Sequence, residues 1–316
     1  MDKKLIALAS SDWHYHDWKQ FNEEDARTLA TNSFLSKLFW RSHDEKIPIL
    51  FPGDLFHTPK GVSTKVLGMF TKLMSTVREV YPKSKLIGTT GNHEQDQGYS
   101  NFNSMAECFW ENMLCIDNQS VTFTWGTIYG LPYRKRNINL VKEIKELSQR
   151  RGPKILLLHT ELYGAPDPSG YEATPQNFSR ESLALFKDFD LVLAGHVHKH
   201  TQVADNVYMV GAPNQQRKSD AGTEMGYLEI YNDFSVKFIK WHAPKFRTFH
   251  EGEEHEDTND YWTEIPKPKK LKKSSEAEFK PTMDKTEMAK RYAKETGVKS
   301  PKKINALINI LNKTDE

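Results

Sequence analysis

Side chains suited to binding metal ions follow separate apolar runs in this chain of 316 residues. Asp12 and His14 come soon after Leu5–Ala9, and Asp54 comes soon after the run that ends at Phe51. Further candidates follow three later runs: Asn92, His159, His196 and His198. Carboxylate, amide and imidazole ligands without a thiol suit borderline and hard divalent cations. Because several strand ends can meet at one crevice, we expect these groups to form one dinuclear centre.

The order of these groups predicts how the ligands divide. The expected sets are Asp12, His14 and His198 for one cation, Asn92, His159 and His196 for the second, and Asp54 as the bridge. Two divalent cations and two aspartates leave a charge of about +2, which attracts a phosphate anion. Such ions lower the pKa of water from about 15.7 towards 7, and a pair about 3.5–4 Å apart clamps an in-line displacement. The predicted chemistry is phosphate ester hydrolysis.

His93 follows a predicted ligand directly and exceeds the two coordination shells. We expect it to be protonated, stabilising the transition state or protonating the leaving oxygen, with Glu94 orienting it. The other histidines are interpreted as surface or packing residues: His16, His43, His200, His242, His250 and His255.

The elements that position these groups alternate between strands and helices before a β-rich end. This order predicts an α/β protein, a layered α/β sandwich around mixed β-sheets with a small helical C-terminal appendage. Helices are expected from about Asn22, from Ser63 or Thr64, and over 101–113. The expected domains are residues 1–241, a short segment and basic linker over 242–283, and a helical segment over 284–313.

Composition limits the class of protein and the compartment that are expected. Hydrophobic residues make up 37% of the chain, which suffices for a core. Cys108 and Cys115 form no CxxC pair and are expected to be free thiols in a reducing compartment. No apolar run approaches the roughly 20 residues of a spanning helix, and no signal peptide is expected before the first strand. A cytoplasmic protein without a membrane partner is therefore expected.

The blocks D-x-H, GD, GNH[DE], H and GHxH, present here in this order, resemble those of the calcineurin-like metallophosphoesterases from residue 5 to about 240. Gly53–His57 followed by Pro59, together with Gly130–Tyr133, is similar to the SbcD-type nucleases of double-strand-break repair and their phage counterparts. The resemblance implies the same seven metal ligands, a transition-state role for His93 and an exonuclease-associated role for His57.

The same resemblance implies a DNA exonuclease and endonuclease that works with a SbcC-type ATPase in a bacterial or phage-infected cell. It also implies a homodimer formed through helices at about 63–80 and 101–113. Ligands of nitrogen and oxygen alone fit Mn²⁺ best, with Mg²⁺, Fe²⁺ and Zn²⁺ as alternatives. A small-molecule phosphodiesterase is the alternative enzyme. A non-catalytic scaffold is disfavoured, because all seven ligands are present.

The chain departs from the family in three places. After His198, Gly211-Ala212-Pro213 replaces the usual Gly-Ser turn. His16 stands where the family usually has glycine, so the first loop is expected to take a different path. The family's DNA-capping domain has only residues 242 to about 280 available and is expected to be short or missing. The Asp-Arg pair of the Ser/Thr phosphatase motif GDxxDRG is absent from GDLFHTP, which argues against that class.

Basic residues and the tail are the candidate contacts for DNA and the ATPase. From Pro266 onward, 14 lysines and arginines stand against 7 aspartates and glutamates. Candidate phosphate contacts are Arg134, Lys135, Arg136, Arg217, Lys218 and Lys267–Lys273, with a solvated surface as the alternative. A helix beginning near Ser300 places on one face Ile304, Leu307, Ile308 and Leu311. We expect this face to bind the ATPase coiled coil, with docking on its own domain as the alternative.

Overall fold

The computed structural model describes residues 2–58, 61–96, 99–135, 137–165, 180–254 and 258–266, with isolated positions between 284 and 305. The chain divides into two compact units, one formed by Met1–Thr248 with His255–Thr263 and the other by Phe249–Glu254 with Glu264–Glu316. The predicted partner-binding residues Ile304, Leu307, Ile308 and Leu311 lie outside the described residues, as do Arg136 and Lys267–Lys273.

The helices are α1 (Ala26–Glu45), α2 (Thr64–Val80), α3 (Asn101–Cys108) and α4 (Asn137–Ser148). The strands are β1 (Leu5–Ala9), β2 (Pro48–Phe51), β3 (Lys85–Gly88), β4 (Gln95–Asp96), β5 (Tyr99–Ser100), β6 (Met113–Cys115), β7 (Ser120–Phe123), β8 (Gly126–Leu131), β9 (Lys154–His159), β10 (Leu191–Gly195), β11 (Thr201–Ala204), β12 (Val207–Met209), β13 (Gly226–Tyr231), β14 (Val236–Lys240), β15 (Phe246–His250) and β16 (Tyr261–Ile265).

Two six-stranded sheets carry the fold, in the orders β14-β13-β1-β2-β3-β6 and β11-β12-β10-β9-β8-β7. Strands β1, β2, β3 and β6 run parallel, and so do β8, β9, β10 and β12. Antiparallel strands flank both sets: β13 and β14 in one sheet, β7 and β11 in the other. Both sheets are therefore mixed, as the sequence predicts.

Apolar side chains of both sheets fill the space between them, among them Ile6, Leu50, Ile155 and Leu193. The outer face of the first sheet packs against α1, α2 and α3, and that of the second against α4. The layered α/β sandwich is confirmed. β2, β9 and β10 are buried throughout, as parallel strands covered on both faces are, and the polar groups that they bring to the site stand at or just beyond their carboxyl ends.

The helix boundaries follow local capping. The Ser63 hydroxyl accepts the amide of Val66 at 3.2 Å, so α2 begins as predicted. The first helix begins later than predicted, because Glu24 has a φ of 51° and breaks the helix, and Asn22 instead accepts the amide of Arg27 at 3.0 Å. The predicted helix over 101–113 is wrong in its second half, where Met113 pairs with Leu86 as the start of β6.

The structure also bears on two smaller predictions, on the cysteines and on membrane-spanning helices. Cys108 and Cys115 are free thiols, as expected. Within the described ranges, the structure holds no helix long and apolar enough to span a membrane.

Candidate dinuclear metal centre

The loops after β1 and β2 continue the parallel pairing of those strands beyond the sheet. The amide of Asp12 donates to the carbonyl of Gly53 at 3.0 Å, and the amide of His14 donates to that of Asp54 at 3.0 Å. Two motifs about forty residues apart in the chain are thereby held side by side. The carboxyl ends of β3, β9 and β10 supply the remaining candidates.

The structure brings all seven predicted ligands together at this edge: Asp12, His14, Asp54, Asn92, His159, His196 and His198. Asp12 and His159 are fully buried, and His14 and His198 are nearly so. Buried polar groups of this kind need partners, because an unpaired one costs about 1–3 kcal/mol. The cluster is therefore a built site rather than a chance surface grouping.

One group of possible ligand atoms comes from Asp12, His14 and His198, all within 4.8 Å of one another. The Nε2 atoms of His14 and His198 face each other at 3.1 Å. Asp12 also fixes the loop after β10, since its carboxylate accepts the amide of His196 at 3.0 Å. This is the set predicted for the first cation.

The second group comes from Asp54, His159 and His196, again within 4.8 Å of one another. The Oδ1 atom of Asn92 lies 2.9 Å from His159 Nε2 and 2.9 Å from His196 Nδ1. Asp54 Oδ2 lies 3.4 Å from His159 Nε2 and 3.6 Å from His14 Nε2. One carboxylate oxygen therefore reaches both groups, as a bridging ligand must.

The donor set fits two divalent cations. Each group combines imidazole nitrogen with carboxylate oxygen, and neither includes a thiol, which suits manganese, iron or zinc. A ligating histidine usually donates its other ring nitrogen to a carboxylate or carbonyl. His159 Nδ1 lies 2.7 Å from the carbonyl of Pro52, and His198 Nδ1 lies 3.0 Å from Asp220. These contacts leave both Nε2 atoms free to bind.

Asp54 and protonated His159 form an ion pair, whose proton a cation would replace. Burial acts to lower the pKa of His159, but the Asp54 carboxylate outweighs it and raises that pKa to about 9. Burial acts to raise the pKa of Asp54, but His159 and then His14 hold it well below its usual range. Because a ligating imidazole must be neutral, a bound cation takes the place of this proton.

Four of the ligands have backbone conformations that L-residues rarely adopt. The φ angles are 54° for Asp12, 43° for His14, 63° for Asp54 and 100° for His196. Such conformations cost about 1–3 kcal/mol each and persist where the surrounding structure enforces them, often at functional sites. The first-loop ligands are thus held in place by the hydrogen bonds between the loops, not by local preference.

Glycines beside the ligands leave room for close approach. A Cβ atom at Gly91 would lie 2.1 Å from Asp54 Oδ1 and 2.6 Å from the Asp54 nitrogen. A Cβ atom at Gly195 would lie 2.3 Å from the carbonyl oxygen of Pro52. The glycines of GNH and GHxH are therefore required by the packing of the centre.

Gly91→Ala is expected to displace Asp54 and cost the protein at least one bound cation, with hydrolysis lost. Overpacking of this kind also destabilises by about 1–3 kcal/mol. The matched control is Gly68→Ala in α2, where an added Cβ meets nothing within 4 Å. Metal content by elemental analysis and a melting curve check both variants; full metal content in Gly91→Ala would contradict the expectation.

Asp220 is a residue of the centre that the sequence does not reveal. Its buried carboxylate lies 3.0 Å from His198 Nδ1 and also accepts the amides of Gln216 at 2.8 Å and Arg217 at 3.2 Å. Burial acts to lower the pKa of His198, but the hydrogen bond and charge of Asp220 raise it. Asp220 therefore fixes the ring of His198 and increases its basicity.

Asp220→Asn is expected to weaken cation binding about 10–100-fold in the group that contains His198. The other group should bind unchanged, because its histidine is oriented by the carbonyl of Pro52. Calorimetric titration resolves the two affinities, with Asp205→Asn, on an exposed turn, as the control. Equal weakening of both affinities would show that Asp220 acts on the whole fold.

His93 and His57 lie together beside the metal ligands. The ring nitrogen Nδ1 of His93 contacts the carbonyl oxygen of His57, and the two ring centroids are 5.4 Å apart. Because a carbonyl only accepts, Nδ1 carries the hydrogen and Nε2 remains available for a substrate oxygen. The amide of His93 donates to Asp54 Oδ1 at 3.0 Å, so the residue is fixed to the bridging carboxylate.

Glu94 is placed differently from its prediction. Its buried carboxylate accepts the amides of Asp54 at 2.8 Å, Gly91 at 2.7 Å and Phe56 at 3.2 Å, while the His93 ring contacts His57. Burial and then the Asp54 charge raise the pKa of Glu94 to about 8. Glu94 therefore joins the GD and GNH loops, and the expectation that it orients the His93 ring is wrong.

The described basic residues are partly engaged within the protein. Arg134 donates to Asn118 and lies 3.4 Å from Glu143 Oε1, and Arg217 Nε lies 3.7 Å from Asp220 Oδ1. Lys135 and Lys218 are exposed. An arginine already facing a carboxylate offers less net charge to a phosphate, so DNA contact by these residues stays a prediction.

The family model of the calcineurin-like phosphoesterases matches residues 7–200. The chain belongs to this family of metal-dependent hydrolases, and the site described above is its candidate metal centre. No curated protein sequence matches the chain.

Several solved structures are similar to the chain. A dimetal phosphatase from Danio rerio is 10% identical, with a TM-score of 0.45 over 73% of this chain and 93% of that one. The protein TT1561 of Thermus thermophilus is 15% identical, with a TM-score of 0.42 over 75% and 99%. Nuclease MPE from Pseudomonas putida is 16% identical, with a TM-score of 0.31 over 65% and 72%.

Proposed function

We propose that the protein is a DNA nuclease of the SbcD type that hydrolyses phosphodiester bonds with two Mn²⁺ ions. The observation that carries the proposal is the position of His57 against His93 beside a complete set of seven ligands. His57 belongs to the GDLFH sequence that resembles the nuclease subfamily. The chain from Pro266 onward is basic, which a small-molecule phosphodiesterase does not need.

Two bound cations supply Lewis-acid activation of water and of the phosphodiester. Asp54 lies between the two ligand groups, because one of its carboxylate oxygens faces both His14 and His159. His93 donates its Nδ1 hydrogen to the carbonyl of His57, so as an imidazolium it carries a second proton on Nε2, which it would give to the leaving oxygen and so become neutral. Asp12, Asp54 and His159 are buried, so the charge interactions among them are stronger than they would be in bulk water.

The test is digestion of end-labelled duplex DNA beside hydrolysis of a chromogenic phosphodiester, each with Mn²⁺, Mg²⁺ or a chelator. We expect Mn²⁺-dependent release of nucleotides from DNA ends and loss of both activities with chelator. Hydrolysis of the chromogenic diester alone would overturn the nuclease proposal in favour of a small-molecule phosphodiesterase. The relative loss of exonuclease and nicking activity in His57→Ala then tests the role of His57.

We further propose a homodimer that binds a SbcC-type ATPase through the C-terminal segment. Leu67 on α2 and Trp110 just after α3 are exposed, at 41% and 73%, beside the helices that the resemblance assigns to the dimer. Leu307→Asp with Leu311→Asp is expected to abolish co-purification with the ATPase and leave phosphodiester hydrolysis intact. A monomer mass by light scattering at micromolar concentration would contradict the homodimer. A complex with the ATPase that persists in the double variant would contradict binding through the C-terminal segment.

A further inference from the structure

His16 lies beside the metal centre although it is not one of the predicted ligands. Tyr15 and Phe56 form a parallel β-bridge between the loops after β1 and β2. The next residue on each side, His16 and His57, is therefore brought to the same side of the paired loops. The two imidazole rings are stacked, with centroids 4.3 Å apart and planes 19° apart.

The opposite side of His16 is also occupied. The ring of Trp18 lies 4.2 Å from that of His16, at an interplanar angle of 46°, and Trp18 is only 7% exposed. Behind Trp18, the buried guanidinium of Arg27 lies 4.7 Å from the indole and donates to the carbonyls of Gln215 and Gln216. His16 is thus held between a fixed indole and His57.

The position of His57 in turn sets that of His93. The carbonyl of His57 is the partner of His93 Nδ1, and the two rings lie 5.4 Å apart. A displacement of about 1 Å in a catalytic group lowers a rate by as much as 10²-fold. Support for His57 is therefore support for the geometry of proton transfer.

We propose that His16 is a positioning residue, whose ring, wedged between Trp18 and His57, holds the His57 backbone and ring in the place that orients His93. The role depends on a flat ring that stacks. It does not depend on a ligand atom or on a charge. The proposal rests on the proposed role of His93 in phosphodiester hydrolysis and requires no DNA specificity.

The experiment measures kcat and KM for a small phosphodiester with a weakly acidic leaving alcohol, which needs protonation, in the Mn²⁺-loaded full-length protein. His16→Ala is expected to lower kcat roughly tenfold with little change in KM, and His16→Phe, which keeps a flat ring, should recover most of the loss. In a His93→Ala background, His16→Ala should change kcat less than about twofold, because the residue acts through His93. Both single variants should keep the metal content of the unmodified protein.

Three results would overturn the proposal. These are an unchanged kcat in His16→Ala, a His16→Phe variant as slow as His16→Ala, and a full effect of His16→Ala in the His93→Ala background. The small substrate separates this test from the nuclease proposal, because failure to digest DNA leaves the His16 measurements interpretable. If His16→Ala does not fold, the His16→Phe variant alone decides: it must retain nearly full kcat.

Discussion

Asp54→Asn is expected to lower phosphodiester hydrolysis on the order of 10³-fold or more. Asp54 Oδ2 is the oxygen that faces both ligand groups, at 3.6 Å from His14 Nε2 and 3.4 Å from His159 Nε2. An amide nitrogen in its place cannot bind a cation, so the bridge is lost. Metal charge stabilisation is worth several kcal/mol in a transition state, and each 1.36 kcal/mol is about tenfold in rate.

The fold should survive this substitution. Asparagine keeps the shape of the side chain and an oxygen that can accept the amide of His93. Initial rates at saturating Mn²⁺ are compared with those of Asp188→Asn, an exposed aspartate in the turn before β10. A rate within tenfold of the unmodified protein would show that Asp54 does not bridge the cations.

His93→Ala is expected to lower kcat about 10²–10⁴-fold, the usual range for a lost proton-transfer group. Metal content should stay unchanged, because the contact of residue 93 with Asp54 comes from the backbone amide, which alanine keeps. The measurement is kcat together with elemental analysis of the same preparations. Loss of bound metal would show that His93 is a structural or ligand residue.

The leaving group separates proton donation from other roles of His93. A phosphodiester with an acidic leaving alcohol needs little protonation, so the defect of His93→Ala should shrink markedly on that substrate. His242→Ala, an exposed histidine, serves as the control and should match the unmodified protein on both substrates. An equal defect on both would contradict general-acid catalysis.

The clustering of the seven candidate ligands could be predicted because buried parallel strands are largely apolar runs. In β9 every residue from Lys154 to His159 is buried, so the first group with a chemical role stands at the strand end. Since the parallel strands of one sheet end at one edge, topology brings Asp12 and Asp54 together, and the packing of the second sheet brings His196 to Asp12. The pattern of apolar runs thus predicts both the layered α/β fold and the edge at which the candidate metal site lies.

Asp220 could not be predicted in this way. It lies in a polar segment, and only the path of the chain after β12 brings its carboxylate to His198. The same holds for Glu94, whose three amide partners come from loops distant in sequence as well as from its own. Hydrogen bonds of this kind depend on tertiary placement, which periodicity and spacing do not encode.

The helical preference of the residues after α3 also led to a wrong prediction, because strand pairing competes with helix formation there. Residues 109–112 continue the apolar pattern of α3, yet Met113 joins β3 as an edge strand, with the side chain of Asn112 donating to the carbonyl of Ser84 at 3.0 Å. The left-handed conformation of Asp12 and His14 is likewise enforced by the neighbouring loop rather than by residue type. In both cases tertiary hydrogen bonds outweigh intrinsic propensity.

The most direct measurement is anomalous diffraction from crystals of the protein grown or soaked with Mn²⁺. Two anomalous peaks about 3.5–4 Å apart are expected, one against Asp12, His14 and His198 and the other against Asn92, His159 and His196, with Asp54 contacting both. Asp54→Asn crystals should show at most one strong peak. An absence of peaks at this edge of the sheets, or a single cation shared by all seven side chains, would contradict the dinuclear centre.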